Sequence, residues 1–215
     1  MTTERLPRPR LPIGIGIGAS AGGPRALLTL LAEIVLPPLV YAFLVQHIHP
    51  KFTGILERRL NEVALLPVQI AEDATTIEPG RLYVAPPGRH LAVERRWPAT
   101  FRTHLKDDPA QHGVRPSVDT LFQSLAGAFG PRAIGVVLTG MGRDGLAGAR
   151  AIKARGGMVL AEAESSCLIY GMPRALAEAQ VVDRLVPLPE MAGVIRAAIA
   201  TIAALPPRAS IVRQR

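Results

Sequence analysis

The chain of 215 residues carries a formal net charge of +8, with 48% hydrophobic, 20% charged and 4% aromatic residues. This composition predicts a folded chain with its own hydrophobic core and excludes a disordered polypeptide. The single cysteine, Cys167, excludes an intramolecular disulfide framework and favours a reducing compartment. The arginines are scattered and aromatic residues for base stacking are few, so we expect no nucleic-acid partner and favour an acidic protein partner.

The N-terminal residues have no apolar core of a secretory signal, and no apolar stretch is long enough to span a membrane. We therefore expect a cytoplasmic protein without membrane insertion. The length favours one domain, expected over residues 13–205, with tails at 1–12 and 206–215.

The hydrophobic pattern predicts strands alternating with helices. The first two strands are apolar on both faces and enclose a helix, which is typical of a βαβ unit in a parallel sheet. A hairpin is expected where two strands flank Pro86-Pro87-Gly88-Arg89, followed by a surface loop over 95–113. The predicted strands are 13–17, 39–45, 68–71, 81–85, 90–94, 133–138, 158–161 and 181–185, and the predicted helices are 24–35, 52–60, 117–129, 146–155, 174–179 and 191–204.

A turn of small residues follows the first predicted strand and has a serine at its centre, in the sequence Gly18-Ala19-Ser20-Ala21-Gly22. Pro24 suits the first turn of the next helix, so Ser20 is expected at the carboxyl end of a strand. Open α/β sheets bind their ligands at that edge. The spacing also fits the G-x-S-x-G pattern, in which a sharp turn exposes a nucleophilic serine.

Two other interpretations of this turn stay open. Gly16, Gly18 and Ala21 fit the pattern G-x-G-x-x-G/A, which would make it a phosphate-binding turn. A dinucleotide site usually has an acidic residue at the end of the second strand, where it binds the ribose. Gln46-His47 occupies that position here, which weakens the dinucleotide interpretation. The turn could also serve only to let a helix pack closely on a strand.

The second predicted strand ends in two histidines, His47 and His49. Adjacent strands of a βαβ unit end at the same edge of the sheet, so a histidine is expected close to Ser20. His47 is favoured because it is nearer the end of the strand, although the topology alone leaves His49 open.

A second turn of small residues, 139–145, places Asp144 before a predicted helix. Aspartate is a common N-cap at such a position. It would also lie at the same sheet edge as Ser20 and His47 and complete the geometry of an acyl-transfer triad. In such a triad the histidine takes the proton of the serine, and the aspartate fixes the tautomer of the histidine. The order serine, histidine, aspartate differs from that of the α/β hydrolases, so the triad would belong to another fold.

Four motifs together resemble the catalytic domain of the bacterial chemotaxis methylesterases, the CheB family. They occur in the family's order between residues 13 and 186. They are the serine turn with Gln46-His47, then Arg115-Pro-Ser-Val-Asp-Thr-Leu-Phe122, Leu138-Thr-Gly-Met-Gly-Arg-Asp-Gly145 and Gly171-Met-Pro-Arg174. The resemblance implies an α/β fold with a doubly wound, mostly parallel sheet, helices on both faces and an added β-hairpin. It also implies Ser20 as nucleophile, His47 rather than His49 as base, and Asp144 as the third member.

The implied activity is hydrolysis of glutamate methyl esters on chemoreceptors, together with deamidation of receptor glutamines. Backbone N–H groups near Gly22 or Met141 are expected to bind the oxyanion. No cofactor or metal is expected, and Cys167 is expected to be structural. The expected partner is a methylated chemoreceptor, whose acidic helices would be attracted by the positive net charge.

Two departures from the family accompany this resemblance. The residue after the serine is usually threonine, and here it is Ala21. Family members usually carry an N-terminal phospho-receiver domain, and the few residues before Ile13 lead us to expect a stand-alone catalytic domain. The main alternative is a non-catalytic signalling module that binds a receptor or kinase through the same crevice, and a nucleotide-binding protein comes third.

Overall fold

The computed structural model describes residues 11–96 and 100–206. The expected tails lie outside these residues except for 11, 12 and 206. The strands are β1 (Ile13–Ala19), β2 (Val40–Gln46), β3 (Val68–Ile70), β4 (Leu82–Val84), β5 (His90–Arg96), β6 (Thr100–Lys106), β7 (Ala133–Val137), β8 (Met158–Glu162) and β9 (Arg184–Val186). The helices are α1 (Gly23–Leu31), α2 (Pro50–Val63), α3 (Val118–Phe129), α4 (Leu146–Ala154), α5 (Met172–Glu178) and α6 (Leu188–Ala203), and a 3-10 turn covers Gly130–Arg132.

Within the described residues, seven strands form a sheet in the order β3-β4-β2-β1-β7-β8-β9, and each neighbouring pair is parallel. Helices α1, α2 and α6 contribute to the hydrophobic cluster on one face, and α3, α4 and α5 to the cluster on the other. Strands β5 and β6 form a separate antiparallel hairpin, whose apolar side chains join the cluster around α3. The expected doubly wound α/β fold with an added hairpin is confirmed. No helix in the described part of the chain combines the length and the apolar character needed to cross a membrane.

Strand β1 alternates isoleucine and glycine, and the two sets face opposite sides of the sheet because successive strand residues alternate. The isoleucines are buried against α1, α2 and α6. The glycines face α3, where a side chain has no room: a Cβ atom at Gly16 would lie 2.6 Å from Leu125 and 2.9 Å from Phe122. A Cβ at Gly18 would collide with Val118 in the same way, so the N-terminus of α3 lies near the carboxyl end of β1.

The helices and strands predicted from the sequence are confirmed as elements, except around the hairpin. Strand β4 was expected in the hairpin, but it pairs in parallel with β2 and β3. The hairpin instead joins β5 to β6, and β6 lies inside the region expected to be a loop. Strand β4 is buried on both sides, as a parallel sheet requires. Strand β6 buries only alternate residues, and its polar residues concealed the strand pattern.

The direction of winding reverses at β1, because β2 lies on one side of it and β7 on the other. The carboxyl ends of strands at such a point form the crevice in which α/β proteins bind ligands. Ser20 follows β1, His47 follows β2 and Asp144 lies in the turn after β7. The topology therefore brings these three residues to the same edge of the sheet.

The glycine face of β1 gives a test of how α3 packs. Replacing Gly16 by alanine is expected to lower the free energy of unfolding by about 1–3 kcal/mol, because the new methyl group must displace Leu125 and Phe122. Gly127→Ala is the matched control within α3: its Cβ would meet open space, so the change should stabilise the helix by about 0.5–1 kcal/mol. Urea unfolding followed by circular dichroism measures both. Equal effects at the two positions would contradict the close approach of α3 to β1.

Candidate active site

His47 and Asp144 form a hydrogen-bonded pair, with His47 Nε2 2.9 Å from Asp144 Oδ2. The side chain of His47 is 11% exposed and that of Asp144 is 3% exposed. The backbone N–H of His47 donates to the carbonyl of Ala19 at 3.0 Å, which continues the pairing of β1 and β2 beyond the strand ends. Because Asp144 contacts Nε2, Nδ1 is the ring nitrogen that is left for a second partner.

The carboxylate of Asp144 is buried and receives donors on both oxygens. Besides His47, these are the Ser117 hydroxyl at 2.7 Å and the backbone N–H groups of Val118, Asp119 and Gly145 at 2.7, 3.0 and 3.0 Å. Burial raises the pKa of this carboxyl, but the hydrogen bonds outweigh burial and hold the pKa below its usual value. Asp144 is therefore ionised at neutral pH and orients His47 from a fixed position.

Ser20 lies in the turn between β1 and α1, and its backbone fixes it there. Its N–H donates to Thr139 O at 3.0 Å, and its carbonyl accepts from Gly23 N at 2.8 Å. Gly22 has a φ of 83°, a conformation that costs glycine little. Gly140 leaves room for the serine, since a Cβ there would lie 2.8 Å from Ser20 Cβ.

Ser20 and His47 are neighbours across the ends of β1 and β2, because the register pairs the preceding residues, Ala19 with Gln46. Within the described residues Ser20 Oγ makes no hydrogen bond. Catalytic hydrogen bonds are often long when no substrate is bound. His49, the other candidate histidine, is exposed, and its Nδ1 accepts from Lys51 N at 3.3 Å as the N-cap of α2.

The backbone N–H groups around the serine turn are available to a ligand. Among the described residues, those of Ala21, Gly22 and Met141 have no acceptor. Met141 follows Gly140, the residue in contact with Ser20, and its side chain is 76% exposed. Gly22 and Met141, both expected near the oxyanion, thus lie in the two turns that meet at Ser20.

Within the part of the chain that the structure describes, one group of potential metal ligands includes Asp144. Single ligand atoms of His112, Asp119 and Asp144 lie within 4.8 Å of one another. Asp119 Oδ1 accepts from Gly148 N at 2.7 Å, and Asp119 Oδ2 is 3.1 Å from His112 Nε2. Because hydrogen-bond donors already contact the oxygens of both carboxylates, these three side chains form a hydrogen-bond network.

Two residues that support the site were not assigned a role from the sequence. The Gln46 amide donates to Ser20 O at 2.8 Å and to His47 O at 2.9 Å, so it joins the two turns. Ser117 donates to Asp144 from the start of α3. A serine directly before a helix predicts an N-cap, and only the fold reveals that Asp144 lies beside it.

The sequence of this chain is similar to known proteins over most of its length. The family profile described as CheB methylesterase matches residues 15–195. Protein-glutamate methylesterase/protein-glutamine glutaminase 5 of Myxococcus xanthus is 44% identical over 180 residues, which cover 84% of this chain and 51% of that protein. The protein-glutamate methylesterase/protein-glutamine glutaminase of Moorella thermoacetica is 43% identical over 201 residues, covering 91% and 46% of the two chains. This chain thus spans about half the length of these curated relatives.

The crystal structure of the CheB methylesterase catalytic domain of Thermotoga maritima is similar to the whole fold. It matches with a TM-score of 0.81 and 32% sequence identity, and the match covers 88% of this chain and 98% of that chain. The likeness therefore extends over nearly all of one solved catalytic domain. Together with the family profile over residues 15–195, it shows that this chain belongs to the CheB methylesterase family.

Proposed function

We propose that this chain is the catalytic domain of a protein-glutamate methylesterase, with Ser20, His47 and Asp144 as a catalytic triad. The observation that carries the proposal is the 2.9 Å contact between His47 and the buried, ionised Asp144 at the strand end beside Ser20. A histidine oriented by a carboxylate is what a serine needs to lose its proton at neutral pH.

The reaction begins when Ser20 Oγ attacks the carbonyl carbon of a glutamate γ-methyl ester and its proton passes to His47 Nδ1. Backbone N–H groups of the two turns, at Gly22 or Met141, stabilise the negative oxygen of the tetrahedral intermediate. The intermediate collapses with cleavage of the ester C–O bond, and His47 protonates the leaving methoxide to give methanol. Water then attacks the acyl-enzyme and gives a proton to His47, which passes it to Ser20 Oγ as the acyl C–O bond breaks and the free glutamate side chain is released. The same steps on a glutamine side chain release ammonia, which makes deamidation the second activity that we propose.

We infer that the substrate is a methylated chemoreceptor and that the reaction is cytoplasmic. The names of the relatives support the protein-glutamate substrate, and the single cysteine fits a reducing compartment. We further propose that the catalytic domain extends over residues 13–205, which encloses the family match over 15–195.

Loss of triad residues is the direct test. Ser20→Ala and His47→Gln are each expected to lower kcat by about 10⁴-fold or more, because neither variant can form the acyl-enzyme at a useful rate. Release of methanol from a receptor fragment carrying labelled methyl esters measures the rate, and circular dichroism checks the fold.

His49→Ala is the matched control for His47→Gln, since His49 is exposed and its ring nitrogen bonds to Lys51 N at the start of α2. It should keep kcat within a few-fold of the wild type. A wild-type protein that is folded but releases no methanol from several receptors would refute the esterase and favour the non-catalytic binding module.

Cys167 offers a test that the nucleophile is the serine. Burial, followed by the negative charge of Glu162, raises the pKa of the Cys167 thiol to about 12. Since only the thiolate is reactive, iodoacetamide at pH 8 should alkylate the folded protein far more slowly than the urea-unfolded protein. Cys167→Ser should retain the methylesterase activity, and loss of activity in a folded Cys167→Ser variant would contradict this assignment.

The basic charge near the crevice gives a test of the acidic partner. Arg25 is exposed and lines a cavity of about 450 Å³ beside the serine turn, together with Gly22 and Leu168. Arg25→Glu is expected to lower kcat/KM roughly threefold or more at low salt, because it repels an acidic receptor helix during encounter. Arg155→Glu is the control for the change in net charge alone, because Arg155 is exposed at the C-terminal end of α4. Initial rates at low and high salt measure both, and equal losses would exclude steering by Arg25.

A further inference from the structure

Ser117 is the N-cap of helix α3 and also contacts the carboxylate of Asp144. Its side chain is fully buried, and its oxygen accepts from Asp119 N at 3.1 Å, as a helix-capping serine does. Its hydroxyl has one proton and lies 2.7 Å from Asp144 Oδ1 and 3.1 Å from Gln111 Oε1. The ionised carboxylate is the nearer and stronger acceptor, so the proton goes to Asp144. One oxygen of Asp144 is thereby fixed by a side chain.

A buried histidine of the hairpin holds Ser117 in turn. His90 is the first residue of β5 and is 0% exposed. Its Nδ1 accepts from Ser117 N at 3.0 Å, and its Nε2 lies 3.2 Å from the carbonyl of Pro109. An N–H on one side and a carbonyl on the other fix the neutral tautomer with its proton on Nε2. The hairpin is thus connected to the site by a continuous run of hydrogen bonds: His90 to Ser117, Ser117 to Asp144, and Asp144 to His47.

We propose that Ser117 is a positioning residue of the esterase, which acts through Asp144 on His47 and is held in place by His90 of the hairpin. This inference rests on the proposed triad. The direction in which Asp144 Oδ2 points sets the plane of the His47 ring, and that plane sets where Nδ1 meets Ser20. Without the Ser117 hydroxyl, Oδ1 keeps the backbone donors of Asp119 and Gly145 but loses its one side-chain donor, and the carboxylate is held less rigidly.

Ser117→Ala is therefore expected to lower kcat by about 10- to 100-fold and to leave KM within about twofold, since a hydrogen bond to a charged group is lost away from the substrate. Steady-state methanol release measures the two constants separately. The imidazole proton of His47 that is bonded to Asp144 should shift or broaden in the ¹H and ¹⁵N NMR spectrum, and this readout needs no activity.

Ser124→Ala is the matched control, because Ser124 lies in the same helix and its hydroxyl also joins α3 to the hairpin. The hydroxyl accepts from Val93 N at 3.0 Å and donates to Leu121 O within α3 at 2.7 Å. It contacts neither Asp144 nor His47. The Ser124→Ala variant should have a lower free energy of unfolding, with kcat and the His47 resonance unchanged. The proposal is overturned if Ser117→Ala keeps the wild-type kcat and His47 resonance, or if Ser124→Ala changes both to the same extent.

Two variants of His90 test the link to the hairpin and serve if Ser117→Ala does not fold. His90→Asn offers an amide oxygen in place of Nδ1 and keeps an acceptor for Ser117 N, whereas His90→Leu removes it. The His47 resonance should shift in His90→Leu and stay near its wild-type position in His90→Asn, and identical spectra for the two would overturn the part assigned to His90. If the wild type releases no methanol but the resonance responds as expected, the proposed function fails and the positioning of His47 by Ser117 stands.

Discussion

The close approach of α3 to the glycine face of β1 determines where the rest of the site can lie. Glycines 14, 16 and 18 leave no side chain between strand and helix, so α3 packs directly against the strand backbone. Protein interiors are close-packed, and a single added methyl group would force the helix away. The same contact places the first N–H groups of α3 at the carboxyl end of β1, where a carboxylate can reach them.

Asp144 is that carboxylate, and its burial is possible because of α3. An isolated buried charge is strongly unfavourable, but here the helix N-terminus, a serine hydroxyl and a histidine supply donors to both oxygens. The same donors keep the pKa of Asp144 below its usual value despite burial. Asp144 thus links the packing of α3 on the sheet to the orientation of His47, so stability and the proposed chemistry depend on one group of contacts.

The added hairpin belongs to this arrangement although it lies outside the parallel sheet. Its apolar side chains share the hydrophobic cluster of α3, and His90 at its start bonds to the backbone of Ser117. The hairpin therefore also supports the N-terminus of α3. In physical terms the candidate site consists of the turns after three strands, which carry Ser20, His47 and Asp144, and of one helix, held by both β1 and the hairpin, whose N-terminus binds Asp144.

The sequence by itself determined the alternation of strands and helices, the parallel sheet, and the placing of Ser20, His47 and Asp144 in segments that follow strands. These features follow from the local spacing of hydrophobic residues and from the turns of small residues, and both can be recognised within short segments of the chain. The sequence did not determine that β4 joins the main sheet while β6 completes the hairpin, because a half-polar strand resembles a loop until its partner is known. It also did not determine the hydrogen-bond partners of Gln46, Ser117 and His90. Each of these bonds to groups far along the chain, and only the tertiary structure decides which distant donors and acceptors meet.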